Sequence, residues 1–282
     1  MAVNTISANQ VQQMLARNQF SLIIDLRDYY DYTRGHLPNA INIPTNQILD
    51  RINEIQPYRN GNILLYCQYG VQSVSVGKVL MINGSPHVKG NTRIALDEMV
   101  KIFEKEGIDT EIIHVGHQDI RGCIACMTCK KGKNQCVFDD LVNQVAPKFE
   151  QCDGFVVGTP VYYGSANSTL ISFLTRLFYS TSFDKTMKVG ASVVVARRGG
   201  ISSTYDEINK FFAISGMPIA STQYWNAIHG REQGEVLQDE EGLQTMRVLA
   251  RNMSFLLKSI YDGKEKYGLP EKEKFHRTNF IR

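Results

Sequence analysis

Short apolar runs alternate along this chain with longer stretches whose apolar residues recur every three or four positions, the pattern of strands alternating with helices. In the first stretch, Ser7 can cap a helix carrying Val11, Met14 and Leu15, and apolar runs at 22–25 and 63–66 predict two short buried strands. From residue 77 the alternation becomes regular. A strand over 79–82 is stopped by Gly84, Ser85 and Pro86; after Gly90, a helix capped by Asn91 sets Ile94, Met99, Val100 and Phe103 at helical spacing. Further strands are predicted over 110–115, 155–158, 191–196 and 220–225, and helices over 141–149, 170–178, 205–214 and 242–261. Five strands each followed by a helix make an α/β fold, a doubly wound parallel sheet whose ligand belongs at the carboxyl ends of the strands. The polar run at 263–282 reads as a tail, so the chain divides into units at 1–76, 77–262 and 263–282.

The unusual residues lie at those strand ends. The segment 77–92 aims the first N–H groups and the positive end of a helix dipole at one point, beside the Ser85 and Thr92 hydroxyls and the Asn91 amide. That arrangement suits a phosphate; the bland alternative is an ordinary strand-to-helix loop with a capped helix. No Gly-Lys-Ser/Thr closes the loop and no G-x-G-x-x-G is present, so a single phosphate monoester suits it better than a nucleoside triphosphate or a dinucleotide. The third strand of this unit runs into Pro160, Val161, Tyr162, Tyr163 and Gly164, and the fourth into Arg197, Arg198, Gly199 and Gly200. A flat aromatic ligand with a phosphate tail would span the three loops, and FMN has that shape.

Charge narrows the partners. Thirty-one basic against 28 acidic residues leave a net +3 with no arginine-rich run, which gives no indication of nucleic-acid binding. The first residues lack a basic region followed by an apolar core, and no apolar run approaches membrane-spanning length, so a cytoplasmic protein without a membrane partner is expected. Four of the six cysteines, Cys123, Cys126, Cys129 and Cys136, stand close together, an odd disulfide framework but a plausible metal site in a reducing compartment. Zinc sites use two separated pairs, whereas three cysteines at this spacing match ferredoxin-type ligation of a 4Fe-4S cluster, with a cluster-free set of thiols as the alternative. Cys152 reads as a buried structural thiol. Cys67 heads the loop after the strand at 63–66, where a thiol at the mouth of a helix has a lowered pKa and becomes a nucleophile.

Asp25-Leu26-Arg27, then Gly35 to Pro44, then the C-x-x-G-x-x-S loop at Cys67 resemble the rhodanese family in order and spacing. The resemblance implies a catalytic role for Cys67 as carrier of a persulfide sulfur. Gln72 stands where that family has arginine, and the unit is short by about a helix and a strand, so it is a truncated rhodanese-like unit in which Cys67 could equally be inert. Residues 77–262 resemble the NADPH-dependent FMN reductases of the flavodoxin-like superfold, through Gly84-Ser85-Pro86, Gly90-Asn91-Thr92, the run from Thr159 to Gly164, and Arg176. That resemblance implies FMN held at the phosphate by Ser85, Pro86, Asn91 and Thr92, and at the ring by Pro160, Val161, Tyr162, Tyr163 and Gly164 with Arg198, Gly199 and Gly200. It also implies NAD(P)H as hydride donor and a small-molecule or protein electron acceptor. The cysteine spacing resembles the iron-sulfur flavoproteins, a branch of the same family in which a cluster exchanges single electrons with FMN. The readings rank as an NAD(P)H-dependent FMN oxidoreductase, then an electron carrier with flavin and cluster, then a sulfurtransferase fused to a flavodoxin-like domain. Phe275 and Phe280 in the charged tail suggest docking onto a neighbouring subunit, hence a homo-oligomer, with a disordered tail as the equal alternative.

Overall fold

The computed structural model describes residues 6, 8–67, 77–274, 276, 278 and 280. Helix α1 (Ala8–Ala16) leads into strand β1 (Leu22–Asp25), helix α2 (Tyr29–Arg34), strand β2 (Ala40–Asn42), the single turn α3 (Ile52–Ile55) and strand β3 (Ile63–Tyr66). The strands form a parallel sheet in the order β2-β1-β3. Strand β2 lies inside the Gly35–Pro44 motif, where the sequence pattern predicts no strand. Its neighbours alternate as a buried strand must, Leu22 and Ile24 packing to one side with Leu26 and Ile43, and Ile23 to the other with Ala40 and Leu64.

At the end of β1 the Asp25 carboxylate is fully buried and gripped by Arg27, whose Nε and Nη2 donate to it at 2.9 and 2.6 Å. Arg27 Nη2 also donates to the Gly35 carbonyl at 2.6 Å, so the pair ties β1 to the following motif. Burial works to raise the Asp25 pKa, but the bonds from Arg27 outweigh it and hold the carboxyl below its ordinary value. A carboxylate with a depressed folded pKa stabilises fully above its unfolded pKa, near 3.9, and its contribution is lost as pH falls through the lower folded value. Urea unfolding of the wild type should therefore show stability falling as the pH drops below about 4, and Asp25→Asn should remove this component of the slope. An identical slope in the variant would contradict the assignment.

The second sheet is built from strand β4 (Lys78–Asn83), helix α4 (Asn91–Lys105), strand β5 (Asp109–His114), helix α5 (Leu141–Gln151) and strand β6 (Gly154–Tyr162). The short strand β7 (Ser165–Ala166), helix α6 (Ser168–Ser180), strand β8 (Val189–Ala196), helix α7 (Ile201–Ile214), strand β9 (Ala227–His229) and helix α8 (Glu240–Tyr267) complete it. The order β5-β4-β6-β8-β9 is parallel throughout, the 2-1-3-4-5 winding of the flavodoxin-like superfold, with β7 an antiparallel flap on β6. Strand alternation divides the core: Val79 and Met81 face α4 and α8 with Phe103, Leu249 and Met253, while Leu80 and Ile82 face α5, α6 and α7 with Phe149, Phe173 and Phe212. Among the described residues no helix is long and apolar enough to cross a membrane.

Several boundaries differ from the sequence pattern. The strand predicted over 220–225 is displaced: Ile219 makes one isolated bridge to Gly190, the chain leaves the sheet, and it returns as β9 at Ala227. Strand β6 runs on through Pro160 to Tyr162, since the end of a strand tolerates a residue without an N–H. Helix α8 continues past residue 261 to Tyr267, where Gly268 ends it with φ +76°.

Candidate functional site

The carboxyl end of β4 turns back through Gly84, Ser85 and Pro86 into α4. Ser85 is buried, its N–H donates to Asn83 Oδ1 at 3.1 Å, and its hydroxyl accepts from the His87 N–H at 3.1 Å, so the Ser85 O–H proton is directed by no protein acceptor among the described residues. Pro86 is half-buried in the same turn. Thr92 is buried in the first turn of α4, and no protein group among the described residues bonds its hydroxyl. The N–H groups of that turn have no intrahelical carbonyl behind them.

Asn91 departs from the expectation. Gly90 is the N-cap, and the Asn91 side chain instead reaches the loop before α8, donating to the Glu232 carbonyl at 2.8 Å and accepting from the Gly234 N–H at 2.8 Å. Its side-chain amide pins two loops together, leaving its backbone N–H at the helix start.

Two residues behind the cradle were not legible from sequence. His114, at the end of β5, is kept neutral by burial, which lowers its pKa, and its Nε2–H donates to the Ser85 carbonyl at 2.6 Å. Asn167 caps α6 by accepting from the Thr169 N–H at 2.9 Å, while its Nδ2 donates to the carbonyls of Gly84 at 2.9 Å and Gly116 at 3.4 Å. One buried amide thus joins the loops that follow β4, β5 and β6.

The second and third predicted loops also meet. Tyr163 and Gly164 turn the β6–β7 hairpin with φ +53° and +75°, the left-handed pair of a type I′ turn. Glu207 of α7 anchors this hairpin, its Oε2 accepting from Ser165 Oγ at 2.7 Å and the Ala166 N–H at 2.8 Å. Gly200, with φ +86°, caps α7 so tightly against the hairpin that a Cβ there would lie 2.7 Å from Val161 Cγ1 and 2.9 Å from Gly164 Cα. Tyr162, Tyr163, Arg198 and Gly199 are exposed at this edge, with open space beside Gly199. These residues fit FMN: a helix start with free donors for the dianionic phosphate, and an exposed edge at Tyr162, Tyr163, Arg198 and Gly199 for the ring.

Between β5 and α5 the long cysteine loop folds onto α6. Cys123, Cys126, Cys129 and Cys136 line one hollow with Ile124, Val137 and Phe138, floored by Arg176, Tyr179 and Ser180, which share one face of α6. Left-handed backbone at Ala125 and Met127, φ +52° and +58°, turns the chain on either side of Cys126, the kind of backbone concavity that receives anionic groups. Hydrogen bonding to Thr128 lowers the Cys126 thiol pKa. None of these four cysteines is in a disulfide, and among the described residues no three metal-capable side chains stand close enough to grip a single ion. Zinc needs its ligands around one ion, whereas a four-iron cluster interposes its own core and spreads them. The thiol-lined hollow, with the buried Ser180 hydroxyl unpartnered on its wall, fits the cluster. Cys152 is buried as expected, donates to the Phe149 carbonyl at 3.3 Å, and burial pushes its thiol up to about 12.

In the N-terminal unit Cys67 is half-buried directly after β3, beside Tyr66, whose hydroxyl accepts from the Leu37 N–H at 2.9 Å. The rest of the loop expected to activate Cys67, including Gln72, lies outside the described residues.

Residues 77–232 match the family described as NADPH-dependent FMN reductase, and residues 7–89 match the Rhodanese-like domain. An iron-sulfur flavoprotein of Methanocaldococcus jannaschii is 31% identical over 191 residues, 65% of this chain and 98% of its own length. An iron-sulfur flavoprotein of Methanosarcina thermophila is 26% identical over 193 residues, 67% of this chain and 100% of its own. Among solved structures, RosB with a bound 8-demethyl-8-formylriboflavin-5'-phosphate intermediate aligns with TM-score 0.53 at 16% identity, over 73% of this chain and 92% of that one. An NAD(P)H:quinone oxidoreductase from Methanothermobacter marburgensis aligns with TM-score 0.51 at 13% identity, over 63% of this chain and 96% of that one. Both structural likenesses are likenesses of fold.

Proposed function

The chain belongs to the NADPH-dependent FMN reductase family and is an FMN-binding oxidoreductase, and from that premise we propose that it takes hydride from NAD(P)H at one edge of the sheet and that Cys123, Cys126, Cys129 and Cys136 would hold a 4Fe-4S cluster, which would supply one-electron chemistry. The observation that carries this reading is Asn167, which ties the phosphate loop at Gly84 to Gly116, where the cysteine loop begins. One residue thereby ties the phosphate loop to the start of the segment that carries the cysteines.

FMN, when bound, supplies a centre that accepts hydride and releases electrons singly or in pairs. The chain's part is binding, orientation and exclusion of water. The first turn of α4 and the Thr92 and Ser85 hydroxyls would hold the phosphate, and His114 braces the Ser85 carbonyl from behind. The β6–β7 hairpin, fixed by Glu207, and the Gly199–Gly200 turn would bound the ring, leaving Tyr162 and Tyr163 exposed where a nicotinamide could stack. Cys123, Cys126, Cys129 and Cys136 would hold the cluster, which supplies one-electron transfer to a small-molecule or protein acceptor. Ile214, Phe255 and Tyr267 are exposed apolar surface on which a second copy could pack, in keeping with a homo-oligomer.

Removing one donor to a charged group costs roughly 1.5–3 kcal/mol, so Thr92→Ala should weaken FMN about ten- to a hundredfold in a fluorescence titration. Unchanged affinity would place the phosphate elsewhere.

A further inference from the structure

Helix α6 carries a buried guanidinium that points at the cysteine hollow. The Arg176 side chain has no solvent exposure, and its Nε donates to Cys136 Sγ at 3.2 Å. Its other nitrogens are held from behind: Nη1 by Asp140 Oδ2 at 2.6 Å and the Arg121 carbonyl at 3.1 Å, Nη2 by Asp140 Oδ1 at 2.9 Å and the Phe138 carbonyl at 3.4 Å. Cys136 is fixed independently, for Asn143 accepts from its N–H at 2.9 Å and donates to its carbonyl at 3.0 Å. One turn along α6, the Ser180 hydroxyl is buried on the same hollow with no partner among the described residues. Cation and sulfur are therefore each held by separate bonds in one contact, with the guanidinium itself withdrawn from solvent.

We propose that Arg176 is a positioning residue that sets the reduction potential of the cluster, by donating a charge-assisted hydrogen bond to the Cys136 sulfur. The inference rests on the cluster reading above. On reduction one electron enters and no bond is made or broken, so the cluster with its four cysteine sulfurs becomes one unit more negative. A buried cation bonded to one of those sulfurs stabilises the more negative state and raises the potential. Asp140 holds the guanidinium in place, and as the N-cap of α5, accepting from the Val142 N–H at 3.0 Å, it also positions the segment just after Cys136.

The test is a dye-mediated redox titration of the anaerobically reconstituted, full-length protein, reading the electron paramagnetic resonance of the reduced cluster, with iron and sulfide analysis and the flavin absorbance as internal checks. The double variant R176Q/D140N removes both charges while keeping an amide that can cap α5. R176K keeps the charge, but an ammonium point charge cannot reproduce the planar fork that serves Asp140 and the sulfur together. In R176Q/D140N the one-electron reduction should become at least about tenfold less favourable, which for a one-electron couple is about 59 mV. R176K should show a smaller drop. If both variants carry full iron and sulfide at the wild-type potential, Arg176 is only a structural brace and the inference is overturned. Should R176Q/D140N fail to take up iron, R176K decides alone: a lowered potential supports the inference and an unchanged one overturns it. A wild-type protein that takes up no cluster from iron and sulfide would instead sink the cluster reading itself, and the two failures are told apart because this one appears before any substitution.

Discussion

Gly116→Ala should leave the protein with little bound FMN. The loops after β4 and β5 lie back to back at this residue: a Cβ on Gly116 would stand 2.2 Å from both the carbonyl carbon and the oxygen of Ser85, and 2.3 Å from the Gly84 oxygen. Those are backbone atoms, which cannot swing aside as a side chain can, so the phosphate loop itself must move. Overpacking of this kind costs typically about 1–3 kcal/mol of stability. The larger effect falls on the ligand, because the displaced segment carries Ser85 and the approach to the α4 turn. An FMN affinity weakened by at least about tenfold is expected, equal to the loss of one charge-assisted donor. Fluorescence titration with FMN, alongside the urea midpoint of the apoprotein, measures both. Normal FMN affinity in the variant would show that the two loops part without disturbing the cradle.

Asn167→Ala should give the largest loss of stability. Three bonds disappear together: the cap on the Thr169 N–H and the donations to the Gly84 and Gly116 carbonyls. Loss of an N-cap costs about 1 kcal/mol and a buried group left unsatisfied about 1–3 kcal/mol, so a total of about 2–4 kcal/mol follows. Asn167→Ser keeps a capping oxygen but cannot span to the two loops, and should recover only about 1 kcal/mol of that. Equal midpoints for the two variants would mean that the cap adds nothing, whereas a Ser variant at the wild-type midpoint would mean that the cap is the whole contribution of Asn167.

The contrast between these residues and those visible in the sequence has a physical basis. Runs such as 79–82, 155–158 and 191–196 are continuous and apolar because both faces of the sheet are covered, and they became β4, β6 and β8. The last strand was misplaced because Ile219 and Ala220 look like a strand start, yet only one bridge forms before the chain detours to Ala227. The three candidate loops stand out as local signals of glycine, proline and hydroxyl residues at strand ends. Asn91 was a misleading one: asparagine suits an N-cap, but Gly90 took that position and freed the side chain for a partner 141 residues away. Arg176 carried a motif signal, but its partners did not, since Cys136 and Asp140 are 40 and 36 residues distant in sequence. Asn167 and Gly116 carried no signal, because what matters about them is which backbone atoms of remote loops they touch. Periodicity reports which face of an element is buried; it does not report which loops are tied together at its end.

Hydride transfer from NAD(P)H to bound FMN is tested most directly by anaerobic rapid mixing of the FMN-loaded protein with NADPH and, separately, with NADH, following the visible flavin bands. Bleaching that saturates with nucleotide concentration is the expected result if a nicotinamide stacks at the exposed edge of Tyr162 and Tyr163. Flavin bands that stay unbleached with both nucleotides, but are bleached by dithionite, would contradict hydride transfer at this edge and make the chain an electron carrier reduced by a protein partner.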